Sequence, residues 1–270
     1  MTESTATTDT QVPRRTGRVT KTPLQMTVGR FMHNKMAIIS LVFVLAIVVA
    51  CVFAPLFTHY SSTTQDLMST DLPPGAGHLL GTDKFGVDNV ARLLYGGRVD
   101  LLFAFLSAGM IMFIGVLVGG VAGYAGGIMD NVLMRIVDLM LNFPFLLFVI
   151  FIQGVFQINS IWVLIVAAGL TGWPPVSRLV RGMFLPLREQ EFVLASKISG
   201  AGGLRIITRH MIPNVLGPLV VNATFLMATL IGFEAALAII GFGVRPPAAS
   251  WGTVLQNAED FFTLMYRPWD

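Results

Sequence analysis

Charge is what this sequence has least of. Only 12% of its 270 residues are Asp, Glu, Lys or Arg, about half the share of an average soluble protein. Residues 139–177 contain none of the four. With 54% of residues hydrophobic, so sparsely charged a surface must face something other than water. A bilayer core about 30 Å thick takes about 20 apolar residues per helix, and runs of that length are present. Cysteine is nearly absent as well. The single Cys51 excludes an internal disulfide framework. The four histidines, His33, His59, His78 and His210, include no pair at metal-ligand spacing, so no metal and no cofactor are expected. No Ser-His-Asp or Cys-His arrangement is present, so no catalytic residues are assigned. No Gly-Lys pair occurs, hence no P-loop to cradle ATP phosphates. The basic residues form no continuous face with interleaved aromatics, which excludes nucleic acid as a partner. The first apolar run lacks a small-residue cleavage site and reads as a membrane span, not a signal peptide.

What remains is an all-α, polytopic transmembrane bundle. Residues 1–30, Thr-rich and basic, read as a disordered cytoplasmic tail. Residues 31–270 read as one membrane domain with five spans, at about 36–57, 99–124, 132–156, 161–178 and 211–240. A loop at 58–97 contains LPPGAGH and LLYGG, both taken as turn signals. Asp100 falls at the edge of span two, where it is expected to stay hydrated. AGGIMDN, 125–131, is a short turn, and QINS, 157–160, separates spans three and four. Glycines crowd GVLVGGVAGYAGG, 115–127, where small residues serve tight helix packing or a hinge. Pro144 and Pro174-Pro175 are expected to kink spans three and four. The tail after residue 240 contains no sixth span.

Orientation follows from Lys and Arg. Six precede span one, six lie between spans four and five, and Arg135 sits by the short turn between spans two and three. Placing the N-terminus in the cytoplasm puts all thirteen on that side and leaves five outside. The segment 178–210 is then a cytoplasmic loop, with 58–97 extracytoplasmic.

That loop breaks the apolar pattern. REQEFVLASKIS has fair helix propensity, with Leu194 and Ile198 on one face beside Phe192, Ala195 and Ser199, while Glu189 and Lys197 point away. Gly200, Gly202 and Gly203 end the helix, and LRIITRH starts another with Arg205 and Arg209 four apart. Two short helices held between two spans make a knob too small to fold alone. Its apolar face packs on lipid headgroups or its own bundle, or enters a groove on another protein.

EFVLASKISGAGGLRIITRHMIPN resembles the EAA loop of permease subunits in bacterial ABC importers. The triplet is Leu194-Ala195-Ser196, followed by Gly200 and the Ile212-Pro213 pair. Leu194 stands where the family has glutamate, and Glu191 lies three residues earlier. FMHNKMAIISL, LLGTDKFGVDNVARLLYGGRVDLL (79–102), MRIVDLMLNFP (134–144) and EAALAIIGFGVRPPAASWG (234–252) are similar to the C-subunit type of dipeptide, oligopeptide and nickel permeases, with Val87 and Ala91 replacing the usual Arg and Ser. The resemblance covers about residues 31–262. It implies a permease subunit of an ATP-driven importer for peptides or a similar small solute. Its partners would be a sister permease in a heterodimer, two ATP-binding subunits, an extracytoplasmic solute-binding protein and membrane lipid. The implied contacts with the ATPase are Glu191, Phe192, Ala195, Ser199, Gly200, Arg205 and Arg209. The family continues past a Pro-Trp like Pro268-Trp269 into one more span.

Three further charges lie within or beside spans. Arg135 and Asp138, three apart, are expected to pair on one helix face, serving as an interfacial anchor or in gating. Glu234 lies deep in span five, where a carboxylate needs a partner or a cavity. Two other classes share this composition: a secondary transporter or channel working alone, and a non-transporting scaffold. No inverted repeat of the kind common in secondary transporters is visible.

Overall fold

The computed structural model describes residues 31–75, 77–156, 160–244 and 248–258. The expected disordered tail, most of the QINS break and the end of the chain with Pro268-Trp269 lie outside them. The chain divides into two units between Ile47 and Val48. Among the described residues the architecture is all-helical, with one isolated bridge between Thr82 and Asp88.

The elements are α1 (Lys35–Val52), α2 (Ala54–Phe57), α3 (Asn89–Ala125), α4 (Gly127–Leu141), α5 (Phe145–Phe156), α6 (Ile161–Thr171), α7 (Pro174–Leu187), α8 (Glu191–Ile198), α9 (Gly203–Ile206), a π turn (Ile207–Met211), α10 (Ile212–Ile239) and α11 (Trp251–Ala258). Four stretches are long and apolar enough to cross a membrane: Lys35–Val52, Asn89–Ala125, Ile161–Leu187 and Gly203–Ile239. α4 and α5 together make a fifth, bent by 73°. The bend falls at Asn142–Pro144, because Pro144 has no N–H to continue the helix and its ring disfavours helical backbone at Phe143.

α3 is the central helix, packed by α7, α6 and α10. Its start is fixed by a compact set of bonds. Asp88 caps it by accepting from the Ala91 N–H at 2.8 Å, and the His78 Nδ1 lies 2.9 Å from the other Asp88 oxygen. Asp83 accepts from the N–H groups of Phe85 and Val87 and from the Arg92 guanidinium. Val87 and Ala91, the two departures from the family pattern in this segment, are both buried.

LLYGG is not a turn. Gly96 and Gly97 lie inside α3, and their missing side chains make room for another segment. A Cβ on Gly96 would come within 3.1 Å of the Ser250 backbone, and one on Gly97 within 2.8 Å of the Trp251 ring. The glycines cost helix propensity, but that cost is offset by the contact they permit.

The glycine run further along α3 serves packing as well. A Cβ at Gly115 would lie 2.6 Å from Val176, at Gly119 2.3 Å from the Ser177 carbonyl oxygen, and at Gly123 2.6 Å from Phe184 Cβ. Glycine every fourth residue presents one bare stripe, and α7 lies directly on it. Val176, Ser177, Val180 and Phe184 are consequently buried. Gly119→Ala should therefore destabilise the detergent-purified protein by about 1–3 kcal/mol through overpacking. Gly109→Ala, where a Cβ meets nothing within 4 Å, should leave the melting temperature equal to wild type or higher, since it removes only the propensity cost. Equal melting of the two variants would contradict the packing role.

Candidate functional site

The loop after α7 folds as two short helical pieces on the end of the bundle. α8 begins after Gln190, with Glu191 in its first turn, where the helix dipole favours an acid. It ends at Gly200, whose φ of +78° is left-handed backbone that suits glycine. Gly202 then starts α9. The π turn follows: the Ile212 N–H reaches back to the Ile207 carbonyl, and Pro213, which has no N–H to offer, comes next.

Three residues anchor this knob. Val193, Ile206 and Met211 are fully buried. Tyr124, at the end of α3, is a fourth support. The Lys197 Nζ lies 5.0 Å from its ring centroid, and a Cβ at Gly203 would lie 2.8 Å from the ring. Lys197 is exposed, pointing away from the apolar residues as the sequence suggested, and its ammonium also gains by lying over an aromatic face.

The residues expected on one apolar face are outward-facing. Phe192 and Leu194 are exposed, and Ile198 is 88% exposed. Ala195 and Ser199 are exposed too. The Ser196 and Ser199 hydroxyls donate back to the Phe192 and Ala195 carbonyls at 2.8 and 2.9 Å. The outer surface is thus apolar. Beside it lies a cleft of about 490 Å³ lined by Ala195, Ser199, Gly200, Arg205, Arg209 and His210. Among the described residues neither arginine has an acidic partner. Five of the seven residues expected at this site line the cleft, and Glu191 and Phe192 sit at the far end of α8.

Behind the knob, two ion pairs tie α4 to α7. Arg181 Nη2 donates to Asp130 Oδ2 at 2.7 Å, and Arg178 donates to Asp138. The expected Arg135–Asp138 pair is not formed. Asp138 faces α7, where Arg178 reaches it, and Arg135 is exposed. The sequence reading missed Asp130, Arg178 and Arg181 as partners. The available signal was the three-residue spacing of the arginines, which puts both on one helix face.

Two features lie within the spans. A cavity of about 580 Å³ opens at the bend between α4 and α5, with Phe143, Phe145, Phe148, Thr171, Leu226 and Phe233 among its walls. Glu234 of α10 is 0% exposed and neither of its oxygens receives a hydrogen bond. Facing it is Asp100 of α3, also 0% exposed. Asp100 is not the hydrated edge residue the sequence suggested, because α3 begins at Asn89, more than two turns earlier.

Membrane-length helices, one of them broken, and an exposed helical knob define a polytopic membrane bundle. Residues 115–266 match the family described as binding-protein-dependent transport system inner membrane component. Residues 22–74 match the N-terminal TM domain of oligopeptide transport permease C. The chain is 37% identical to the oligopeptide transport system permease protein OppC of Bacillus subtilis over 89% of this chain and 78% of that one. It is 38% identical to the dipeptide transport system permease protein DppC of the same species, over 84% and 71% of the two chains. A putative peptide permease protein of Brucella suis is 38% identical over 96% and 83%. The chain belongs to the binding-protein-dependent transport inner membrane component family and is a multi-pass permease subunit of an ABC importer.

The support under the knob yields a direct expectation. Tyr124→Ala should make the loop 188–206 more accessible to limited proteolysis, on the order of tenfold, without moving the melting temperature of the bundle. Unchanged cleavage would remove Tyr124 from the site.

Proposed function

We propose that this subunit conducts peptides or a similar small solute, and that α8 and the adjoining arginine cleft are where a separate ATPase grips it. The observation that carries this reading is the inversion of α8. One side chain of α8, Val193, is buried, while Phe192, Leu194 and Ile198 stand exposed beside two arginines that have no acidic partner among the described residues. A helix packed on its own bundle would bury its apolar face. A helix shaped for a groove on another chain leaves that face outward, and unpaired arginines favour a groove that offers carboxylates.

The division of labour follows from the absent P-loop. ATP is hydrolysed on partner chains. Their closing moves the knob, and the knob moves α7 and α10, the helices on either side of it. Glu191, Phe192, Ala195, Ser199, Gly200, Arg205 and Arg209 form the contact. A sister permease and a solute-binding protein complete the assembly, with the N-terminus and the knob on the cytoplasmic side as the Lys and Arg distribution requires. The bend between α4 and α5 supplies the solute path, because irregular backbone at membrane depth is tolerated where it lines a cavity. The peptide assignment rests on the similarity to oligopeptide and dipeptide transport permeases. In this reading Asp138–Arg178 and Asp130–Arg181 hold α4 to the moving α7.

Arg205→Glu with Arg209→Glu, or deletion of 192–200, should lower ATP-driven uptake in reconstituted vesicles by roughly tenfold or more, with membrane insertion intact. Crosslinkers at Ala195→Cys or Ser199→Cys should capture the ATPase. Normal uptake after the deletion, or uptake by this chain alone without ATP, would overturn the proposal.

A further inference from the structure

Asp100 and Glu234 come from α3 and α10, at the end of the bundle away from the knob. Tyr124, under the knob, is 24 residues further along α3, about 36 Å at 1.5 Å per residue. Both carboxyl groups are 0% exposed. Both border the start of α11, where the Trp251 N–H donates to Asp100 and a Cβ on Gly252 would meet Glu234 Oε2. One Asp100 oxygen, Oδ2, accepts from the Trp251 backbone N–H at 2.6 Å. The other, Oδ1, and both Glu234 oxygens receive no hydrogen bond.

An ionised carboxylate only accepts. Two of them facing each other repel, and neither supplies the donor that the other lacks. Two unscreened negative charges in an unexposed site are not tolerated together. The other titratable groups near the pair do not resolve this. The Arg98 guanidinium donates to the carbonyls of Cys51, at 2.6 Å, and Val52, and lies over the Tyr95 ring. The Cys51 thiol is buried and brings no positive charge. α11, the third element at the site, has no titratable side chain in Trp251–Ala258. Nor is there space for a larger occupant on the α11 side. A Cβ on Gly252 would come within 2.6 Å of Glu234 Oε2 and 2.7 Å of Ala238 Cβ. What fits between two buried carboxyl groups at one helix start is a proton.

We propose that Asp100 and Glu234 share one proton, and that this acid pair is a latch joining α3, α10 and the segment 248–258. The shared proton gives Glu234 its donor or acceptor on Asp100. Asp100 in turn holds the first N–H of α11, while Trp251 Nε1 donates to the Leu93 carbonyl at 2.9 Å. Removing the proton leaves two charges that separate only by admitting water, which frees the start of α11. These two acids are positioning residues and need not touch the solute. Their consequence for transport rests on the permease reading, whereas the protonation itself is measured without it.

The test uses the complete, purified transporter. Infrared spectra of wild type at neutral pH should contain a protonated-carboxyl C=O band that shifts in heavy water. Glu234→Gln and Asp100→Asn each replace one acid by an amide that donates to the remaining carboxylate, so both should lose that band. Each should keep its melting temperature within about 3 °C of wild type. Compared at one alkaline pH near 10, residues 248–258 should exchange amide hydrogens roughly tenfold faster in wild type than in Glu234→Gln. A band absent from wild type, or retained in both variants, overturns the proposal. So does equal exchange, or a wild-type melting temperature raised by sodium or calcium in a way both variants lose. Should one variant fail to assemble, the other decides.

Discussion

Close approach of α3 and α7 is the contact on which the rest of the bundle depends. In lipid, apolar surface gains little by leaving one hydrocarbon environment for another, so helices associate where their backbones fit. Gly115, Gly119 and Gly123 remove every side chain along one line of α3. α7 occupies that line, and Phe184 is sealed beneath it. The position of α7 then fixes where Leu187 ends and where α8 begins. The exposed knob is thus placed by a row of absent side chains in the core.

Charge is distributed by the same logic. An ion inside a membrane protein is costly unless matched, and Asp130, Asp138 and Asp83 are each matched by an arginine. Two of those pairs bridge α4 and α7, so they also fix the broken span against its neighbour. Arg205 and Arg209 break this habit. They are cationic, exposed and adjacent to an apolar helix face, which is the composition of a surface completed by another chain.

Much of this was legible in the sequence because composition and short-range signals dictate it. The apolar runs, the charged interruption, the stop at Gly200 and the bend at Pro144 are local matters of hydropathy and backbone geometry. The knob's family resemblance was carried by contiguous residues. What the sequence did not disclose were pairings across the bundle. Asp138 has an arginine three residues away, yet finds Arg178 on another helix. Asp100 read as a hydrated residue because the start of α3 was placed ten residues late. YGG read as a turn, since glycine's role there depends on Ser250 and Trp251, far away along the chain. α3 is apolar around most of its circumference, so periodicity offers no clue to which side faces which neighbour.

The π turn at Ile207–Met211 adjoins both the knob and α10. A single widened turn holds one residue more than an α-helix would need. Shortening it by one would restore an ordinary helix, and would spin everything downstream by about 100° relative to everything upstream. Ile206 and Glu234 would then be unable to keep their present neighbours at once. The bulge is thus a phase-setter: it reconciles the rotational setting demanded at one end of α10 with that demanded at the other, and an insertion or deletion of one residue there would be felt along the helix's whole length.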